Sequence, residues 1–135
     1  MISEIDATES RYRIELLKEM EKQFDEKNQQ YFKNLLTHHD VVIRTRCICI
    51  LADIGGKDAI EHISQVLTND KDALVRHEAA VALGVIGSEE ARESLNKALK
   101  DKNEEVRESA IIALANLDYI STMKRNNQFT RMTGG

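Results

Sequence analysis

The chain aligns with itself. Arg44-Thr45-Arg46-Cys47 through Leu51-Ala52-Asp53-Ile54-Gly55 stands without a gap over Arg76-His77-Glu78-Ala79 through Leu83-Gly84-Val85-Ile86-Gly87, and the offset of 32 continues with Ala59 over Ala91 and Leu67 over Leu99. A third copy, offset by 31, begins at Val106-Arg107-Glu108-Ser109-Ala110 and runs to Leu117. A period of about 32 residues constrains the fold more than any other feature. Each unit is one supersecondary element that cannot bury its apolar faces alone, so neighbouring units must stack.

Each period reads as two helices. In the second copy Asp72 stands as an N-cap, and Val75, Ala79, Ala82, Leu83 and Ile86 recur at helical spacing up to Gly87, which suits a left-handed terminating residue. Ser88 caps the second helix; Glu89 and Glu90 fall in its first turn, Lys97 and Lys100 near its end, and Ala91, Leu95, Ala98 and Leu99 form its apolar stripe. The first copy predicts a helix over about 41–54, a Gly55-Gly56 break, Asp58 as cap and a helix over about 59–68, while the third predicts one helix over about 104–118. Composition agrees, because a chain of 135 residues with no Pro, six Gly and 41% hydrophobic residues suits helix interiors rather than turn-rich hairpins.

Upstream, Tyr12, Leu16, Leu17, Met20 and Phe24 mark an amphipathic helix with Ser10 as its cap, and Tyr31, Phe32, Leu35 and Leu36 mark a shorter one. Tyr12, Phe24, Tyr31, Phe32 and Tyr119 lie outside the central repeats, where aromatics would close the ends of a stack whose middle uses small aliphatic residues. After residue 120 the periodicity stops. The expected architecture is all-α: a short α-solenoid of stacked helical hairpins forming one domain over 1–120, with capping helices over 1–38, repeats over 41–118 and a flexible basic tail over 121–135 that carries Lys124, Arg125 and Arg131.

The stretch Val75-Arg76-His77-Glu78-Ala79-Ala80-Val81-Ala82-Leu83-Gly84-Val85-Ile86-Gly87 resembles the HEAT-like repeats of the phycobilisome-lyase type, and the resemblance covers 41–118. It implies an α-solenoid, and it leaves function open among bilin lyase subunits, scaffolds and deoxyhypusine hydroxylase. The nearest likeness within that class is to deoxyhypusine hydroxylase: Arg76-His77-Glu78-Ala79 is similar to its His-Glu motif, and Ala59-Ile60 and Ile63-Ser64-Gln65 also look like that family. The resemblance implies iron, since there four His-Glu pairs across two halves ligate a di-iron centre. Here Thr45-Arg46 and Glu108-Ser109 fill the equivalent slots of the other copies, and one pair is left.

His77 and Glu78 are therefore the candidate metal ligands. Imidazole with carboxylate suits non-haem iron, but such iron takes at least three protein ligands, which a symmetric dimer with two His and two Glu could supply. The competing reading makes both residues ordinary polar positions in the first turn of a helix, with Glu78 favoured by the helix dipole. His38-His39-Asp40 and His62 offer further nitrogens, but adjacent His residues before a helix read as a solvated turn with Asp40 as cap. Arg44, Arg76 and Arg107 share one slot of the repeat, and Asp70 and Asp101 each stand six residues before an Arg. Stacking would align these five into a structural ladder, with an arginine row for an acidic partner as the alternative. Cys47 and Cys49, two residues apart on a helix, face nearly opposite ways and can form neither a disulfide nor a chelate.

The net charge of −4, with an acidic body and a basic tail, disfavours nucleic acid as a partner. Apolar runs such as 48–52 stop far short of a membrane span, residues 1–10 lack the features of a secretory signal, and two free thiols point to a reducing, cytoplasmic setting. No phosphate loop, nucleophile elbow or H-E-x-x-H stands in the chain. The expectation is a non-catalytic protein interaction scaffold that needs no cofactor and binds a protein partner, with homodimerisation open. Its alternative is an iron-binding, deoxyhypusine hydroxylase-like monooxygenase or subunit that uses His77-Glu78 on assembly.

Overall fold

The computed structural model describes residues 4–132, with side chains over 9–127. Among the described residues the elements are α1 (Glu4–Asp25), α2 (Gln29–Asn34), α3 (Val41–Gly55), α4 (Ile60–Asn69), α5 (Ala73–Ile86), α6 (Arg92–Ala98) and α7 (Glu104–Met132). Short 3-10 turns at Leu35–Thr37, Gly56–Ala59 and Glu89–Ala91 lead out of α2 and into α4 and α6. No strand occurs among the described residues, and no described helix is long and apolar enough to cross a membrane.

One polar residue starts the first helix of each repeat. The side chains of Asp40, Asp72 and Asn103 accept the backbone N–H groups of Val42, Leu74 and Glu105 at 2.9, 2.8 and 2.9 Å, pairing donors that the first helical turn leaves free. Gly87 ends α5 at φ +71°, its N–H returning to the Leu83 carbonyl, so the chain reverses without the steric cost a side chain would bear.

The first helices α3, α5 and α7 pack side by side, while α4 and α6 form the second layer against α5 and α7. Helices α1 and α2 cover α3. Between the layers lies one continuous core that includes Met20, Phe32, Ile43, Ile48, Leu51, Ile63, Val75, Leu83, Leu95, Val106 and Leu117. Helices α5 and α7 meet at backbone distance: a Cβ on Gly84 would lie 2.8 Å from Ala113 Cβ and 2.9 Å from its Cα. Asn116 Nδ2 donates to the Gly84 carbonyl at 2.6 Å across the same crossing.

Several boundaries differ from the sequence reading. Helix α1 starts at Glu4, so Ser10 lies inside it and caps nothing. Asp58 sits within a 3-10 turn, and α4 has no side-chain cap. Leu99 follows α6 and is half-exposed instead of completing its stripe. Of the aromatics expected to close the stack, Phe32 is fully buried, whereas Tyr12, Phe24 and Tyr119 are exposed; long helices let amphipathic rings lie on the surface. The largest difference is α7, which continues to Met132 through most of the expected tail. Between 118 and 132 there is neither Gly nor Pro, and a helix with no stop signal has no local reason to end. Gly134-Gly135 lies outside the described residues.

Candidate metal centre

Repeat register sets His77 and Glu78 in the second turn of α5, beside α7. The Glu78 carboxylate shares a face of α5 with Leu74, Val81 and Val85, at i−4, i+3 and i+7, and these three apolar residues are exposed. Both candidate ligands are partly open, with side-chain exposures of 30% for His77 and 28% for Glu78. His77 Nε2 lies 3.8 Å from Glu78 Oε1. That is too long for a hydrogen bond, yet within the span of two donors that each sit about 2.1 Å from a shared first-row metal.

The far side of the imidazole is held from the neighbouring helix. His77 Nδ1 forms a short hydrogen bond with Ser109 Oγ, and that hydroxyl also lies 2.8 Å from the Glu105 carbonyl. A hydroxyl has one proton: given to the Glu105 carbonyl, it leaves the Ser109 oxygen to accept from Nδ1, and given to His77, it makes Nδ1 the acceptor. In the first arrangement the neutral ring carries its proton on Nδ1 and leaves Nε2 bare beside the Glu78 carboxylate. On the outer side of that carboxylate the Cys49 thiol of α3 donates to Oε2 at 3.7 Å. Burial and the Glu78 charge both hold the Cys49 thiol above its ordinary range.

The other histidines lie elsewhere and are differently committed. His38 Nδ1 accepts the Asp40 backbone N–H at 3.0 Å, so neutral His38 carries its proton on Nε2. Its ring stacks on His39 with centroids 4.3 Å apart, while Asp40 caps α3 and takes the Arg13 guanidinium at 2.8 Å. His62, on α4, has a buried Nδ1 without a hydrogen-bond partner and lines a groove with Lys33, Arg44 and Gln65. Among the described residues no group of three or more His, Cys, Asp or Glu is placed to hold a metal. Among the described residues His77 and Glu78 are thus two neighbouring candidate donors, fewer than non-haem iron takes.

The arginine slot is structural in its contacts. Arg44 grips Asp70 with Nε and Nη2 at 2.9 and 3.2 Å, and Arg76 grips Asp101 at 2.9 and 3.1 Å. Each guanidinium also reaches backward through Nη1: Arg44 to the His38 carbonyl, Arg76 to that of Asp70 and Arg107 to that of Asp101, at 2.8, 2.9 and 2.7 Å. Cys47 is buried in the core, where burial pushes its thiol up to about 12. A groove of about 970 Å³ between α1 and α3 is lined by residues including Leu17, Met20, Phe24, Val42 and Cys49 but by neither His77 nor Glu78.

A family model of HEAT repeats matches residues 1–84 and 60–124. The chain is a HEAT-repeat protein. This HEAT-repeat chain is also similar to curated proteins named deoxyhypusine hydroxylase. The protein of Eremothecium gossypii is 44% identical over 71 residues, 52% of this chain and 22% of that protein. The Danio rerio protein is 39% identical over 69 residues, 51% and 22% of the two chains, and the Phaeosphaeria nodorum protein 48% over 67 residues, 48% and 20%. The match thus spans about a fifth of the length of these relatives. Relatives that carry an enzyme's name overturn the expectation of a non-catalytic interaction scaffold, and the phycobilisome-lyase likeness gives way to the hydroxylase one.

Ser109 and Cys49 escaped the sequence reading. In the sequence Ser109 stands only where the second copy has Glu78. The available signal was the repeat register itself, which sets Glu108-Ser109 on α7 beside His77-Glu78 on α5.

Proposed function

We propose that this chain is a unit of a deoxyhypusine hydroxylase-type metalloenzyme that contributes His77 and Glu78 to an iron site completed on assembly. The observation that carries this is the pair itself: an imidazole nitrogen 3.8 Å from a carboxylate oxygen, in a chain whose relatives bear that enzyme's name. Bound iron would supply the oxygen chemistry of a side-chain hydroxylation. What the chain's own residues do is hold and aim donors: His77 through Nε2, Glu78 through its carboxylate.

The described residues supply fewer protein ligands than non-haem iron takes, so further donors have to join His77 and Glu78. A second copy is the simplest source, since it doubles the donors to two His and two Glu. Exposed Leu74, Val81 and Val85 around Glu78 give such a contact an apolar surface to cover. The free thiols of Cys47 and Cys49 fit a reducing, cytoplasmic setting.

The test is metal content and mass measured together, on untagged protein purified without chelator. Iron at half an atom or one atom per chain, in a dimer, and absent from the His77→Ala variant is the expected result. Folded protein that takes up no iron from an anaerobic Fe2+ solution would overturn the reading.

A further inference from the structure

Ser109 is buried in α7, at the register slot that holds the exposed Arg46 in α3 and the half-exposed Glu78 in α5. A long charged side chain leaves that slot for solvent; a hydroxyl is short enough to stay beneath the α5 ring. A buried hydroxyl must be satisfied, and this one is satisfied in a particular sense. Its oxygen lies 2.8 Å from the Glu105 carbonyl one turn back in its own helix, a natural acceptor for its proton, and it also meets His77 Nδ1 from the next helix.

Resting on the metal-site reading above, we propose that Ser109 is a positioning residue: it locks the His77 imidazole in the Nδ1–H tautomer, so that the unprotonated Nε2 faces Glu78. Free imidazole in water exchanges between its two neutral tautomers, and only a bare nitrogen can ligate. The partner of the non-ligating nitrogen selects the tautomer and the ring orientation, and losing such a partner weakens metal binding by about 10–100-fold in comparable sites. The contact crosses from α5 to α7, the two helices that approach closely at Gly84 and Ala113. His38 shows the opposite lock: a backbone N–H on its Nδ1 puts the proton on Nε2.

The lock is read without any metal, from the ring nitrogen shifts of His77 by long-range proton–nitrogen NMR on the metal-free full chain at a pH where the ring is neutral. The intact protein should show a protonated Nδ1 and a bare Nε2. Ser109→Ala should give a mixture of tautomers, and Ser109→Thr, which keeps the hydroxyl, should restore the single form. Anaerobic Fe2+ titration by calorimetry should then show affinity falling by about 10–100-fold in Ser109→Ala and recovering in Ser109→Thr. A protonated Nε2 in the intact protein, or unchanged shifts in Ser109→Ala, would overturn the proposal. So would Fe2+ affinity that ignores the hydroxyl. A lock present in protein that binds no Fe2+ supports Ser109's role and rejects the iron reading, so the two ideas can fail separately.

Discussion

Arg76 and Asp101 meet through two parallel N–H···O bonds, at 2.9 and 3.1 Å, with both side chains nearly sealed from solvent. Arg44 and Asp70 make the same pair one repeat earlier. Because Asp101 also accepts the Asn103 backbone N–H at 2.9 Å, the pair fixes the turn that launches α7. Buried ion pairs add little net stability when intact, since desolvation offsets attraction, but removing one partner strands the other charge. Arg76→Ala should therefore cost about 3–5 kcal/mol in urea unfolding at neutral pH. A loss below about 1 kcal/mol, the range of an exposed pair, would show that water reaches Asp101 freely.

Acid should weaken the fold in two stages. Burial pushes His38 below its ordinary value, with the neighbouring His39 charge adding to the effect. The unfolded chain thus takes up a proton that the folded chain resists, and stability falls as pH drops below about 6.5. For Asp101, burial alone would raise the pKa, but the Arg76 hydrogen bond, the Asn103 N–H and the Arg76 charge outweigh it and hold the carboxyl low. Asp40 is held low in the same way by Arg13 and the Val42 N–H, again against burial. Groups with depressed folded values contribute stability above the unfolded value of about 4 and lose it as pH falls through the folded one. Thermal unfolding from pH 7 to 3 should show a shallow decline near pH 6 and a steeper one below pH 4. His38→Gln should flatten the first, and Asp101→Asn the second.

Much of this was legible in the repeat. Asp40, Asp72 and Ser88 cap through side chains because polar caps act over two or three residues of sequence, a range that one chain displays directly. The arginine slot was visible for the same reason, since the repeat period carries it. Two things were not. The end of a helix depends on stop signals, and the loss of periodicity after 120 is not one, since α7 runs on to Met132. The partner of His77 Nδ1 is a hydroxyl 32 residues away on another helix, a contact that composition and spacing do not encode until the helices are placed. Sequence puts His77 beside Glu78, and packing puts Ser109 against His77 Nδ1.

Gly84 tests the closest helix crossing. In an exposed helix, replacing Gly by Ala gains about 1 kcal/mol from backbone entropy. Here the new methyl would meet Ala113 at both its Cβ and its backbone Cα, and backbone cannot swing aside as a flexible side chain can. Overpacking of this kind costs about 1–3 kcal/mol, so the sign should reverse and Gly84→Ala should be destabilised despite its better helix propensity. The displacement should also disturb the His77 ring shifts, because the Ser109 contact joins the same two helices. A Gly84→Ala protein more stable than the parent would mean that α5 and α7 stand further apart than described.

The two cysteines should report on the core and on the candidate site separately. Cys47 is fully buried, with its thiol pushed up to about 12, so alkylation at pH 8 should reach it only through unfolding. Cys49 is exposed, but burial of its thiol and the Glu78 carboxylate raise its pKa, so it should react more slowly than a free thiol. Glu78→Gln removes the negative charge, lowers that pKa and raises the thiolate fraction at fixed pH. Its Cys49 should therefore be alkylated faster, with the Cys47 rate unchanged as long as global stability is unchanged. Mass spectrometry of modified peptides over time separates the two rates. If Glu78→Gln left the Cys49 rate unaltered, the Cys49–Glu78 contact would not persist in solution, and the carboxylate would be free to turn away from His77.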